Sequence, residues 1–324
     1  MNYPVARGRR IYPLSAYGGL KLWDFSYTCA IWETITVPAL SENIVIPIFY
    51  LKPKRSTPGE DPAAMDNRFK KPRLYNQWWI ALAGGVLPVV VATAVIARGL
   101  SSISPWRWSL QALLVIVFIL IILQRNLNLN RQGPNGPLKN SLGPANWISL
   151  ARGGLIALLA GFWLQPWPGR DSTTAWSAWL PATLYIAVAL ADALDGWVAR
   201  QTGNQTLLGE YLDTRIDALG ILVASLVAVS YGQVPGFYVS AGLAWYLLKL
   251  AVWLRKKSGR PCGEVKRRKG ARLMAGLQMA FLGLVLLPLL SPPITHIAAV
   301  VILLPFLAGF LLDWQMVCGH ENSN

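Results

Sequence analysis

The 324-residue chain has only 15 acidic residues, and they are placed unevenly. Six precede residue 67 and Glu321 lies near the C-terminus. Of the remaining eight, five fall within residues 192–217: Asp192, Asp195, Glu210, Asp213 and Asp217. Carboxylates this close repel unless they are protonated or neutralised. A hard divalent cation is the natural neutraliser, since aspartate oxygens suit Mg²⁺ or Mn²⁺. The four aspartates Asp192, Asp195, Asp213 and Asp217 can hold two ions bridging a phosphate, the arrangement of two-metal phosphoryl chemistry.

The spacing places these groups on helix faces. Asp192, Asp195, Gly196 and Ala199 stand at i, i+3, i+4 and i+7, and Gly209, Asp213 and Asp217 at i, i+4 and i+8. A polar run between Arg200 and Gly209 is a natural turn. The simplest arrangement is two antiparallel helices with their carboxylate faces opposed. Gly196 and Ala199 leave room for a bulky anion beside the cations, and Arg200 offers a bidentate phosphate donor at the rim. Two other readings compete. One pairs the acids with Arg200, Arg215 and nearby basic loops, and the other places them in an ion or proton pathway. Their confinement to one stretch argues against a pathway.

The elements that position these residues follow from composition. Hydrophobic residues make up 54% of the chain and charged ones 14%, with a mean hydropathy of +0.39 and 15 Trp, yet the formal net charge is +15. A basic nucleic-acid binder carries dense charge and clustered basic helices, so nucleic acid is excluded as a partner, and so is disorder. The class is an all-α polytopic membrane protein. Eight spans of sufficient length and apolarity are predicted, at about 78–97, 107–123, 147–164, 176–194, 214–231, 237–254, 273–290 and 294–312. Trp78, Trp79, Trp106, Trp108, Trp147, Trp163, Trp176, Trp179, Trp253 and Trp314 near their ends suggest an interfacial belt. Lys and Arg concentrate before the first span and after the second, fourth and sixth. The positive-inside rule then puts both termini and the carboxylates at the cytoplasmic face of an integral, multi-pass protein among anionic lipids.

Residues 1–75 form either an irregular cytoplasmic arm or an overcalled start, with Met65 as the alternative. Residues 76–139 supply two extra spans, 140–315 a six-helix unit, and 316–324 a cytoplasmic tail. Three cysteines, Cys29, Cys262 and Cys318, give no disulfide or zinc pattern.

The stretch 192–217 resembles the signature of the CDP-alcohol phosphatidyltransferases, D-x2-D-G-x2-A-R-x8-G-x3-D-x3-D. All of its fixed positions are present: Asp192, Asp195, Gly196, Ala199, Arg200, Gly209, Asp213 and Asp217. Upstream, Ala145 to Arg152 is similar to the family's P-N-x-L-T-x2-R stretch, with Ala145 for Pro and Ser149 for Thr. Asn146, Ser149 and Arg152 share one face there, although Asn146 read alone is equally a helix cap. The family's G-K-x-K-T-like stretch is matched only by Arg272, in Gly270 to Ala275.

The resemblance implies a metal-dependent transferase of phospholipid biosynthesis. It implies CDP-diacylglycerol as donor, an alcohol acceptor such as glycerol 3-phosphate or an inositol phosphate, and release of CMP. Asp192, Asp195 and Asp213 hold one cation and Asp192, Asp213 and Asp217 a second, with Asp217 also the base. Asn146, Ser149, Gly196, Ala199, Arg200, Thr206 and Gly209 surround the nucleotide and diphosphate. Arg152, Lys249, Arg255, Lys257, Arg260 and Arg272 are candidates for a phosphorylated acceptor, or serve orientation and anionic lipids instead. Members of the family are often homodimers, which makes a second copy a candidate partner. The competing functions are a CDP-choline or CDP-ethanolamine phosphotransferase acting on diacylglycerol, and a non-catalytic scaffold or transporter.

Overall fold

The computed structural model describes residues 27–38, 43–53, 62–134, 136–169, 175–202, 205–259 and 269–318; side chains are described from residue 73, except 199, 200, 202 and 269–272 within helices. The chain divides into two units, Met1–Asp66 and Asn67–Asn324.

In the first unit, β1 (Tyr27–Pro38) pairs antiparallel with β2 (Asn43–Pro53), from Tyr27 opposite Pro53 to Pro38 opposite Asn43. Ile31, Trp32, Ile35, Thr36 and Val37 pair with Tyr50, Phe49, Ile46, Val45 and Ile44, and such residues favour extended backbone. Pro47 is tolerated because each strand of a two-stranded ribbon keeps an open edge. The segment expected to be irregular therefore contains an antiparallel strand pair, whose ladder takes in Glu33, Pro38 and Pro47; Glu42 lies outside the described residues.

The second unit is all-α. Its helices are α1 (Pro62–Gly99), α2 (Pro105–Asn126), α3 (Pro144–Ala160), α4 (Leu180–Thr202), α5 (Leu207–Ser230), α6 (Val239–Lys257), α7 (Lys269–Val285) and α8 (Ile294–Cys318). Proline at the first turn of α2 and α3 suits helix starts, where a backbone N–H has no partner to lose. Among the described residues, five segments are long and apolar enough to cross a membrane: Arg73–Gly99, Pro105–Leu129, Trp176–Val198, Gly236–Lys257 and Ile294–Cys318. The other three differ from expectation for physical reasons. α3 and α7 have 17 residues each, and the first half of α5 carries Glu210, Asp213, Arg215 and Asp217.

Large apolar side chains face outward on the spanning helices, including Leu87, Val90, Leu114 and Leu304. In water such a surface would drive association; against acyl chains it is the expected covering. Trp79, Trp106, Trp176 and Trp253 are exposed, as an interfacial belt requires. Trp108 is not part of that belt. It is 1% exposed and packs edge-on against Phe162 and flat against Gly161, a position where no Cβ fits.

α3 is the organising helix. It packs against α2, α4 and α5, and its contact with α4 is the largest between any two helices. α5 is buried along its length by Leu212, Ile216, Leu219, Ala224 and Val227, and packs on α6. α4 and α5 meet only marginally. The expected opposed pair of carboxylate helices is thus a three-helix arrangement, with α3 between the other two.

Candidate active site

The site lies where α3 begins, α4 ends and α5 begins. The start of α5 is fixed by Thr206, whose Oγ1 accepts the backbone N–H of Gly209 at 3.0 Å, as an N-cap does. Asn146 is not a helix cap. Gly143 holds that position for α3, and the Asn146 amide reaches across to Thr206 Oγ1 and Asn130 Oδ1, each at 3.4 Å. Gly209 is required by this junction: a Cβ there would lie 2.7 Å from Asn146 Oδ1. Leu207 N–H donates to the Arg131 carbonyl at 2.9 Å, which joins the segment after α2 to the same corner. Asn146, Thr206 and Gly209, which the resemblance placed around the nucleotide, thus dock α3 on α5.

That docking sets the register of the acids. From α5, Asp213 and Asp217 turn toward Asp192 on α4, and one ligand oxygen from each of the three lies within 4.8 Å of the others. Their side chains remain 38%, 45% and 35% exposed for Asp192, Asp213 and Asp217. At that separation each pair repels by about 3 kcal/mol for an effective dielectric near 20, and less where water reaches. Arg152 supplies the opposing charge. Its side chain is fully buried, and its guanidinium donates to Asp192, to Asp213 at 2.6 Å, and approaches Asp217 at 3.1 Å.

Asp195 stands apart from this trio. It is 7% exposed and accepts a hydrogen bond from Ser149 on α3. Gly196 follows it, half-buried, while the side chains of Ala199 and Arg200 lie outside the described residues, as does Arg260. The side chain of Arg272, in the first turn of α7, is likewise not described.

α6 returns to this end of the bundle. Lys249 Nζ lies 5.8 Å from the Trp245 ring and Lys257 Nζ 5.2 Å from Trp253, while Arg255 is half-buried in the last turn. Arg215 lies over the Tyr211 ring at 3.2 Å. The hydroxyl of Tyr185, two turns before Asp192 on α4, is fully buried and without a hydrogen bond. Sequence reading missed Tyr185, although its seven-residue offset from Asp192 puts both on one face.

Three carboxylates from two helices, with a buried arginine between them, form a group that could hold a divalent cation. Residues 142–310, more than half of the chain, match the sequence model of the CDP-alcohol phosphatidyltransferases. The chain belongs to the CDP-alcohol phosphatidyltransferase family. No curated protein and no solved structure matches it significantly. The matched region takes in α3 to α8 up to Phe310, so the strand pair, α1 and α2 lie outside the family unit. The family consists of transferases that use a CDP-alcohol and an alcohol acceptor, generally with divalent metal. The chain is therefore a transferase, with several helices suited to a membrane.

The donor set fits a divalent cation. Asp192, Asp213 and Asp217 bring hard oxygens within 4.8 Å of one another, and Asp217 Oδ1 is buried with no hydrogen bond, facing only the ion pair to Arg152 at 3.1 Å.

Proposed function

We propose that this transferase moves a phosphatidyl group from CDP-diacylglycerol to an alcohol acceptor at the cytoplasmic face of the membrane and releases CMP. The convergence of Asp192, Asp213 and Asp217 at the end of an apolar bundle carries this reading. Mg²⁺ or Mn²⁺ held by these residues and Asp195 would neutralise the diphosphate and the charge that develops on the leaving phosphate.

The chain's own residues do the rest. Asp217 Oδ1, which faces the Arg152 guanidinium at 3.1 Å without a hydrogen bond, would take the proton from the acceptor hydroxyl. The acceptor oxygen bonds to the lipid-linked phosphorus, and the bond from that phosphorus to the CMP oxygen breaks. Arg200, with Gly196 and Ala199 leaving space, holds the diphosphate. Leu190, Leu194 and Trp197 are exposed on α4 beside Asp192 and Asp195, an apolar surface against which diacyl tails can lie while the nucleotide stays in water. The basic residues Arg125, Arg131 and Lys139 gather near the same end, which supports its placement at the cytoplasmic leaflet. Arg255, Lys257 and Arg272 favour a phosphorylated acceptor.

The test is CMP release by purified protein with Mg²⁺, supplied with CDP-diacylglycerol, CDP-choline or CDP-ethanolamine and a panel of acceptors. Asp217→Asn keeps the side-chain shape but removes the base. It is expected to lower kcat by about 10²–10⁴-fold while CMP binding persists. Turnover near the wild-type level in that variant removes Asp217 from the base role, and no release from any donor ends the enzymatic reading.

A further inference from the structure

Arg152 is the most unusual side chain in the bundle: a fully buried guanidinium in a helix otherwise built of small and apolar residues. Resting on the reading that these carboxylates hold divalent cations, we infer that Arg152 is an exchangeable counter-ion. It holds Asp192, Asp213 and Asp217 together in the cation-free protein and gives up its bonds to them when a cation binds.

Three observations support the exchange. The guanidinium already uses an oxygen of each of the three acids that converge to hold a cation. The same spacing serves both partners. The three oxygens lie within 4.8 Å of one another, a width that a planar fork bridges, and a cation held by them would take the space the guanidinium fills. Finally, Arg152 Nε makes no hydrogen bond. Withdrawal therefore gives up no hydrogen bond of the guanidinium other than those it makes to the acids.

Charge gives the exchange a direction. One guanidinium neutralises one of four carboxylates, which leaves the cation-free site negative and repellent to a diphosphate. Two divalent cations neutralise all four, and the freed guanidinium becomes the surplus positive charge beside them. A diphosphate then has a donor to accept from. Nucleotide binding is accordingly coupled to cation binding, and the coupling is reciprocal.

The experiment follows Mn²⁺ binding to the full-length protein in detergent by electron paramagnetic resonance, with and without CMP, for wild type, Arg152→Gln and Arg152→Lys. Lysine keeps the charge but cannot bridge three carboxylates. Both variants are expected to bind Mn²⁺ at least about tenfold more tightly than wild type without CMP, since the two guanidinium hydrogen bonds to Asp192 and Asp213 no longer have to be broken and each is worth about a factor of ten. Both are expected to lose most of the tightening that CMP produces in wild type. Unchanged or weaker binding in either variant overturns the exchange and makes Arg152 a fixed clamp, with cations on the other carboxylate oxygens. Tightening in Arg152→Gln alone reduces its role to a field effect and also overturns it.

If a variant does not fold, wild-type protein answers alone: phenylglyoxal labelling of Arg152, read by peptide mass spectrometry, is expected to rise with Mn²⁺ and fall again with CMP. Labelling indifferent to Mn²⁺ contradicts the exchange. Absence of Mn²⁺ binding in every form removes the metal reading itself, an outcome distinct from Mn²⁺ binding that Arg152 does not influence.

Discussion

Gly209 separates a structural from a ligand-binding reading of the α3–α5 junction. A Cβ at this position would stand 2.7 Å from Asn146 Oδ1, and ordinary contact begins at 3.4 Å, so something must yield by about 0.7 Å. Asn146 has little room to yield. It is 3% exposed, and its amide nitrogen is held between Asn130 and Thr206. The strain in Gly209→Ala therefore passes into α5, where Asp213 is the next turn and Asp217 the one after. Overpacking of this kind costs about 1–3 kcal/mol, and a displacement approaching 1 Å of groups that must converge costs about 10²-fold in rate. Gly209→Ala is expected to melt several degrees lower and to release CMP about 10–100-fold more slowly. Asn146→Ala in the same chain removes the clashing oxygen and is expected to restore much of both, giving a double-mutant cycle with strong coupling. Wild-type turnover in Gly209→Ala would refute the reasoning. A loss that Asn146→Ala leaves untouched would refute it too, and would return Gly209 to the wall of the diphosphate site.

Two further perturbations test the surroundings. Ser149→Ala removes the donor to buried Asp195; CMP release is expected to fall about 10–100-fold, as for residues that orient metal ligands, with Ser149→Thr retaining most activity, and unchanged turnover in the alanine variant counts against a role for this bond. Tyr185→Phe removes a fully buried hydroxyl that has no hydrogen bond; thermal unfolding should show a gain of about 1 kcal/mol, and a lower midpoint would mean the hydroxyl has a partner in the working protein.

Hydropathy and spacing made much of this molecule legible, and where they stopped is instructive. Eight helices were readable because each is an apolar run punctuated by turns, and the acid-bearing faces of α4 and α5 followed from their offsets of three and four residues. Among the described residues five helices combine the length and apolarity to span, while α3 and α7 have 17 residues each and α5 carries four charges in its first half. Trp108 looked interfacial because it lies near a helix end; its burial against Gly161 depends on a glycine some 50 positions away, a pairing that local pattern does not carry. The strand pair was hidden because Glu33, Pro38, Glu42 and Pro47 read as interruptions, whereas Glu33, Pro38 and Pro47 all take part in the ladder.

Arg152 shows the same boundary at the site itself. Its position on a face with Asn146 and Ser149 was visible in the spacing, and an ionisable group in an apolar helix signals function by default. What no periodicity specifies is which neighbour that face meets. Had α4 and α5 packed directly on each other, their four aspartates would have faced across a groove and Arg152 would have stood at its edge, free for an acceptor phosphate. Because the small residues of α3 let it come between them, the same side chain points into the carboxylates. The order in which three helices pack decides whether this arginine meets the substrate first or the metal site first, and the exchange follows from the second.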